Sequence, residues 1–166
     1  MNHLEQLVAE WLEYQGYFVR RNIKVGKRNK GGYECELDIV ALDPIKNILV
    51  QYETSTDTHS WEKRESRYEK KFAAGKKYIP GLFKGMTSAK TPIIQYAVFL
   101  YGSKLNHKVL KGGEVLLVKV LLKQIISVIN TRIVKGIIPE QYPLLRMLQL
   151  VCEYHDVLFK EDKQAH

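Results

Sequence analysis

Four side chains that carry oxygen donors, Glu36, Asp38, Gln51 and Glu53, fall close together in the stretch GYECELDIVALDPIKNILVQYETST, Gly32 to Thr56. They come as two pairs, each spaced by two residues. Alternate residues of a β-strand share a face, so each pair presents its oxygens together if its segment is extended. Two readings fit carboxylates gathered in this way. One is a solvated sheet edge, where acids discourage edge-to-edge aggregation. The other is a site for a hard divalent cation such as Mg²⁺, which takes oxygen ligands and keeps several waters. A metal held there lowers the pKa of a bound water and stabilises charge developing on a phosphate.

The pairs come together only if the flanking elements bring them together. Tyr33–Leu42 and Ile48–Thr54 read as the strands of a β-hairpin around the turn Asp43-Pro44-Ile45-Lys46-Asn47. If Asp43 pairs with Ile48, Asp38 falls opposite Glu53 and Glu36 opposite Ser55, and the acidic faces coincide. A one-residue slip sends one pair to the other face. Leu37, Ile39 and Ala41 then make the apolar face. Before the hairpin, residues 2–15 read as a helix with Asn2 and Glu5 as a capping box. Its apolar stripe is Leu4, Leu7, Val8, Trp11 and Leu12, and Gly16 ends it. Tyr17–Ile23 reads as a strand and Gly26–Lys30 as a basic loop. After the hairpin, Ser60 caps a helix from Trp61 to about Lys77, ended by Pro80-Gly81. Ile93–Tyr101 reads as a strand buried on both faces. Val115–Val120 reads as a further strand, Lys119–Ile133 carries helical periodicity, and Pro143 opens a last helix to about Tyr154. Lys160–His166 reads as a frayed tail. The order predicts one α/β domain over residues 1–166, with a mixed central sheet flanked by helices. A right-handed βαβ crossover joins the second hairpin strand to Ile93–Tyr101.

Charge points to an anionic partner. The net charge is +8, and residues 60–90 hold nine Lys or Arg against three Glu. Nucleic acid suits such a segment, with Arg64, Arg67, Lys70 and Lys71 on phosphates; a merely solvated helix face fits it too. Trp61 and Tyr68 either stack on bases or, at helical spacing, belong to the core. No apolar run approaches the roughly 18 residues of a membrane span. The N-terminal segment lacks the features of a secretory signal, and Cys35 and Cys152 form neither a disulfide framework nor a metal motif. A cytoplasmic protein is the expectation.

The element order and the local motifs resemble the PD-(D/E)XK nuclease superfamily, whose core is helix, three antiparallel strands, helix and a further strand. The resemblance covers residues 1–101; residues 102–166 carry an additional strand and helices. LEQLVAEWLEYQGYFV is similar to the first helix of Mrr-like restriction nucleases and archaeal Holliday-junction resolvases, which places Glu5 at the family's helix glutamate. ELDIVA looks like the strand with the first catalytic aspartate, here Asp38. VQYETS looks like the (D/E)-X-K strand, with Gln51 on the acid and Glu53 on the lysine, a variant Q-X-E element. A second alignment puts Glu53 on the acid and Ser55 on the lysine. The lysine could instead come from the following helix, as Lys70 or Lys71.

The resemblance implies a restriction-endonuclease-like fold and a metal-dependent DNA endonuclease using Mg²⁺, or Mn²⁺ in its place, possible as a homodimer because double-strand cleavage usually needs two sites. Asp38 and Glu53 would hold the metal, Gln51 would offer a carbonyl, and Glu36 would be an outer ligand unless it is a solvated strand acid. Glu5 would reach the site from the first helix unless the capping box holds it. A catalytically inactive nucleic-acid-binding domain on the same fold is the alternative. A protein-interaction domain whose basic helix binds an acidic partner is a third reading.

Overall fold

The computed structural model describes residues 2–56, 60–88, 90–101 and 108–159. The tail expected over Lys160–His166 lies outside them. By contacts between residues the chain falls into two units, the first ending at Leu121 and the second beginning at Leu122.

In the first unit, helix α1 (His3–Tyr14) is followed by strands β1 (Phe18–Lys27), β2 (Tyr33–Asp43) and β3 (Ile48–Ser55). Helix α2 (Trp61–Leu82), β4 (Ile93–Phe99), the short β5 (Val109–Leu110) and β6 (Gly113–Leu117) complete the sheet. The described strands form one mixed six-stranded sheet in the order β1-β2-β3-β4-β6-β5. β1, β2 and β3 are antiparallel neighbours, while β4 runs parallel to both β3 and β6. The α/β architecture with flanking helices is therefore as expected. No described helix is long and apolar enough to cross a membrane.

Consecutive residues of β1 show which helix covers which face. Arg20 Nη1 donates to the Leu82 carbonyl at the end of α2, 3.1 Å, while Arg21 Nη2 donates to Glu13 of α1, 2.6 Å. Neighbouring strand residues point to opposite faces, so α1 and α2 lie on opposite sides of β1. The Arg20 bond also satisfies one of the carbonyls that a helix end leaves unpaired. α2 thus continues past Pro80, where the sequence predicts its end; the missing proline N–H falls within the last turn.

α2 forms the core on its side of the sheet. Ala74, Ile79 and Phe83, just beyond the helix, pack with Val25, Leu37, Val40, Leu42 and Leu49. Nearer the N-terminus of α2, Tyr68 and Phe72 pack with Ala97, Phe99, Leu110, Val115 and Leu117. Each such large side chain contributes roughly 1.5–3 kcal/mol by leaving water. The two clusters lie to either side of Lys71 and Gly75, so the polar site described below is set between apolar walls.

The strands depart from the expected pattern at two places. Strand alternation puts Leu37 on the face of Ile39 and Ala41, but it packs with Val40 and Leu42 under α2. The strand period breaks at Asp38. Directly across, the β1–β2 ladder passes from Arg21↔Ile39 to Ile23↔Leu37, and the residue between, Asn22, has φ +52. A left-handed residue inside a strand turns the side chains that follow it. The strand expected over Val115–Val120 ends at Leu117, and helix α3 (Val118–Val128) starts at once. Leu117 pairs with Phe99, the last residue of β4, so the ladder has no partner to continue on.

The second unit holds the rest of α3, a 3₁₀ turn (Ile133–Lys135), α4 (Pro143–Glu153) and α5 (His155–Phe159). Pro143 is at the start of α4 as expected. Gln149, almost fully buried, ties the unit together. Its Nε2 donates to the Asn130 and Gly136 carbonyls, both 2.7 Å, and its Oε1 accepts from the Ile138 N–H at 3.0 Å.

Candidate active site

The hairpin register is the predicted one: Asp43 pairs with Ile48, and the β2–β3 ladder runs to Ile39↔Tyr52. One residue further on stand Asp38 and Glu53, where side chains replace the ladder. The Thr54 N–H donates to Asp38 Oδ2 at 2.9 Å. The Asp38 N–H makes a long 3.4 Å contact with Glu53 Oε1. The strands thus part at this point, and each carboxylate takes a backbone donor from the other strand.

Into the gap comes a lysine from α2. Lys71 Nζ donates to Asp38 Oδ1 at 2.6 Å and also to Glu53 Oε2. The helix presents it because Arg64, Tyr68, Lys71, Phe72, Gly75 and Ile79 recur at helical spacing on the side facing the sheet. Glu53 is fully buried, and the Asp38 and Lys71 side chains are 12% and 21% exposed. The ammonium therefore closes the mouth of a mostly dry site.

Gln51 supports Glu53 from behind. Its Nε2 donates to Glu53 Oε1 at 2.8 Å and to the Lys71 carbonyl at 3.2 Å. Its Oε1 accepts from Gln95 Nε2 at 2.7 Å, and Gln95 also donates to the Phe72 carbonyl at 2.9 Å. The reverse orientation of the Gln51 amide would set its oxygen against two acceptors. The strands β3 and β4 are in register at Gln51↔Gln95, so the two amides form one rung that grips α2 by two successive carbonyls. α2 can come this close only because residue 75 is glycine: a Cβ there would lie 1.8 Å from Gln51 Oε1.

Burial, with the Asp38 charge adding to it, pushes the Glu53 carboxyl up to about 8, against the pull of Lys71 and Gln51. Burial alone would lower Lys71, but Glu53 and Asp38 outweigh it and hold the ammonium above its ordinary value. Three donors converge on the two oxygens of Glu53. Tyr68, almost fully buried, brings its hydroxyl to 3.4 Å from the Glu53 carbonyl, and burial raises its pKa.

The other expected site residues lie elsewhere. Glu5 closes the capping box: Oε2 accepts from the Asn2 N–H at 3.1 Å and Oε1 from Asn2 Nδ2 at 2.7 Å. Glu36 is exposed on β2. Arg64 is buried, its guanidinium 4.5 Å from the Phe99 ring centre and 5.2 Å from that of Trp61. Arg67 is half-buried over Tyr68, at 5.2 Å. Lys70 is exposed. Tyr68 and Trp61 pack with the Phe99 cluster. Among the described residues, no group of three or more His, Cys, Asp and Glu converges on one point as metal ligands would. Asp38 Oδ1 and Glu53 Oε2 do converge, on the Lys71 ammonium. Two carboxylates suit Mg²⁺, which binds through one or two of them and fills its shell with water and substrate oxygens. The Gln51 carbonyl is turned away to Gln95 and is not a third ligand in this arrangement.

Sequence reasoning missed Gln95 and Gly75. Both had a signal: a glutamine inside the apolar run IIQYAVF, and an isolated glycine inside a helical pattern. Comparison with protein-family models and with curated proteins finds no match for this sequence.

Proposed function

We propose that the protein is a metal-dependent DNA endonuclease, hydrolysing phosphodiester bonds on a fold of the restriction-endonuclease kind. The observation that carries this reading is the meeting of Asp38, Glu53 and Lys71 where β2 and β3 part. That set holds the two acids and the lysine of the superfamily's site, with the lysine drawn from α2 instead of from β3. Asp38 and Glu53 would hold Mg²⁺ or Mn²⁺, which supplies an activated water and charge stabilisation at the phosphate. Gln51 holds the Glu53 carboxylate in line. Lys71 places a permanent positive charge at the mouth of the site, where it can meet a non-bridging phosphate oxygen. Lys70 and the other exposed cations of α2 add salt-dependent attraction to the DNA backbone. A second copy of the chain would supply the second cut in a duplex.

One observation favours the alternative of a nucleic-acid-binding domain without cleavage. The Lys71 ammonium already bridges both carboxyl groups, in the place a metal would take. Cleavage of plasmid and branched DNA with Mg²⁺ or Mn²⁺ separates the two. The nuclease reading expects cutting by the wild type that Asp38→Ala and Glu53→Ala abolish. Binding without cutting would establish the alternative.

A further inference from the structure

The β1–β2 hairpin outruns the rest of the sheet. The β2–β3 ladder stops at Ile39, while β1 and β2 stay paired as far as Lys27↔Tyr33. Tyr33 lies five residues before Asp38, so this ribbon extends about 17 Å past the carboxylates. Its root is stiff. Val25 and Leu37 are in the core under α2, and Glu34 Oε2 accepts from Tyr78 Oη at 2.5 Å and from Lys77 Nζ at 3.1 Å. Its tip is a tight turn in which the Arg28 N–H donates to the Gly32 carbonyl and the Gly31 N–H to the Arg28 carbonyl, 3.0 and 3.1 Å.

That tip is cationic. Lys27, Arg28 and Lys30 are all exposed, and residues 27–33 contain no acid. Among the described residues none of the three forms an ion pair. Arg28 acts electrostatically on Glu34 across the ribbon, so the tip charge is partly offset. Three exposed cations at the end of a two-stranded ribbon suit the phosphate rows of a nucleic-acid duplex, whose major groove is about 12 Å wide and admits such a ribbon.

We propose that the β1–β2 ribbon is a second contact for duplex DNA, in which Lys27, Arg28 and Lys30 bind backbone phosphates on one flank of the bond held at Asp38 and Glu53. This rests on the nuclease reading for the position of the cut, and on the ribbon's own charge and reach for the contact. Contacts of this kind position the duplex and do not read its sequence.

The test is fluorescence anisotropy of a labelled duplex in EDTA over a range of KCl concentrations. The triple variant Lys27→Ala/Arg28→Ala/Lys30→Ala should flatten the slope of log K against log salt by about 2 to 3, at roughly 0.9 for each phosphate that is no longer neutralised. Arg28→Gln and Lys30→Gln, made singly, should each flatten it by about 0.9, which keeps the test open if the triple variant does not fold. Lys46→Ala, at the opposite end of β2, should leave the slope as it is. An unchanged slope in the tip variants, an equal flattening from Lys46→Ala, or a wild type without salt-dependent binding would overturn the proposal. The nuclease reading fails separately: wild type that does not cut plasmid, while the tip variants still flatten the slope, removes the cleavage and keeps the ribbon.

Discussion

Lys71 Nζ lies 2.6 Å from Asp38 Oδ1, although 33 residues separate them in the chain. The contact joins the middle of α2 to the strand that parts from β3, and it brings the buried Glu53 into the same cluster. The chemistry proposed for this protein depends on that closure.

Removing the ammonium should cost stability as well as function. Lys71→Met leaves the Asp38 and Glu53 carboxyls side by side with no cation. Breaking a buried ion pair costs about 3–5 kcal/mol, and partial exposure of Lys71 puts the expected cost near the lower end. Urea unfolding of Lys71→Met against wild type measures it. A midpoint equal to wild type would mean that the cluster contributes nothing to the fold.

Gly75→Ala should destabilise, against helix propensity. In an exposed helix the change gains about 1 kcal/mol. Here the added carbon would meet Gln51 Oε1 at 1.8 Å, so the rung or α2 must shift, at a net cost of about 1–3 kcal/mol. Shortening Gln51 to alanine in the same chain should recover part of that cost, because the two positions share one space. A double-mutant cycle by chemical denaturation gives the coupling, and strict additivity would refute the steric account.

The pH dependence of stability has a definite sign. The folded-state value for Glu53, about 8, stands above its ordinary 4.5. The folded protein therefore keeps a proton that the unfolded chain has released, and stability falls as pH rises from about 4.5 to 8. Lys71 acts higher: its raised value gives stability that disappears only as pH climbs past 10.5. Wild type should thus become less stable relative to Glu53→Gln between about pH 5 and 8. Thermal melts of both proteins across that range check it, and parallel curves would contradict it.

Much of this is legible in the residues. The turn Asp43–Asn47 sets the hairpin register, and with it the meeting of Asp38 and Glu53, because a one-residue slip would send one acid pair to the other face. The face of Leu37 is not legible: alternation fails at Asp38, opposite a left-handed Asn22 that strand patterns do not announce. Pro80 predicts too early an end for α2 because Arg20, a distant residue, helps to hold the last turn. The helix lysine can be narrowed to Lys70 or Lys71 by position, but only the packing of Phe72 and Gly75 against the sheet turns Lys71 inward and leaves Lys70 in solvent. The Gln51–Gln95 rung depends on the parallel register of β3 and β4, which no local pattern specifies.

The most direct measurement is the single-turnover rate of duplex cleavage with Mg²⁺ for wild type, Lys70→Ala and Lys71→Ala, at low salt and saturating protein. A lysine that meets the developing charge at the phosphate is worth roughly 10²-fold or more. Lys71 in that role predicts a fall of at least that size in Lys71→Ala and a rate within a few-fold of wild type in Lys70→Ala. Equal rates for wild type and Lys71→Ala, or an equal fall in both variants, would contradict it.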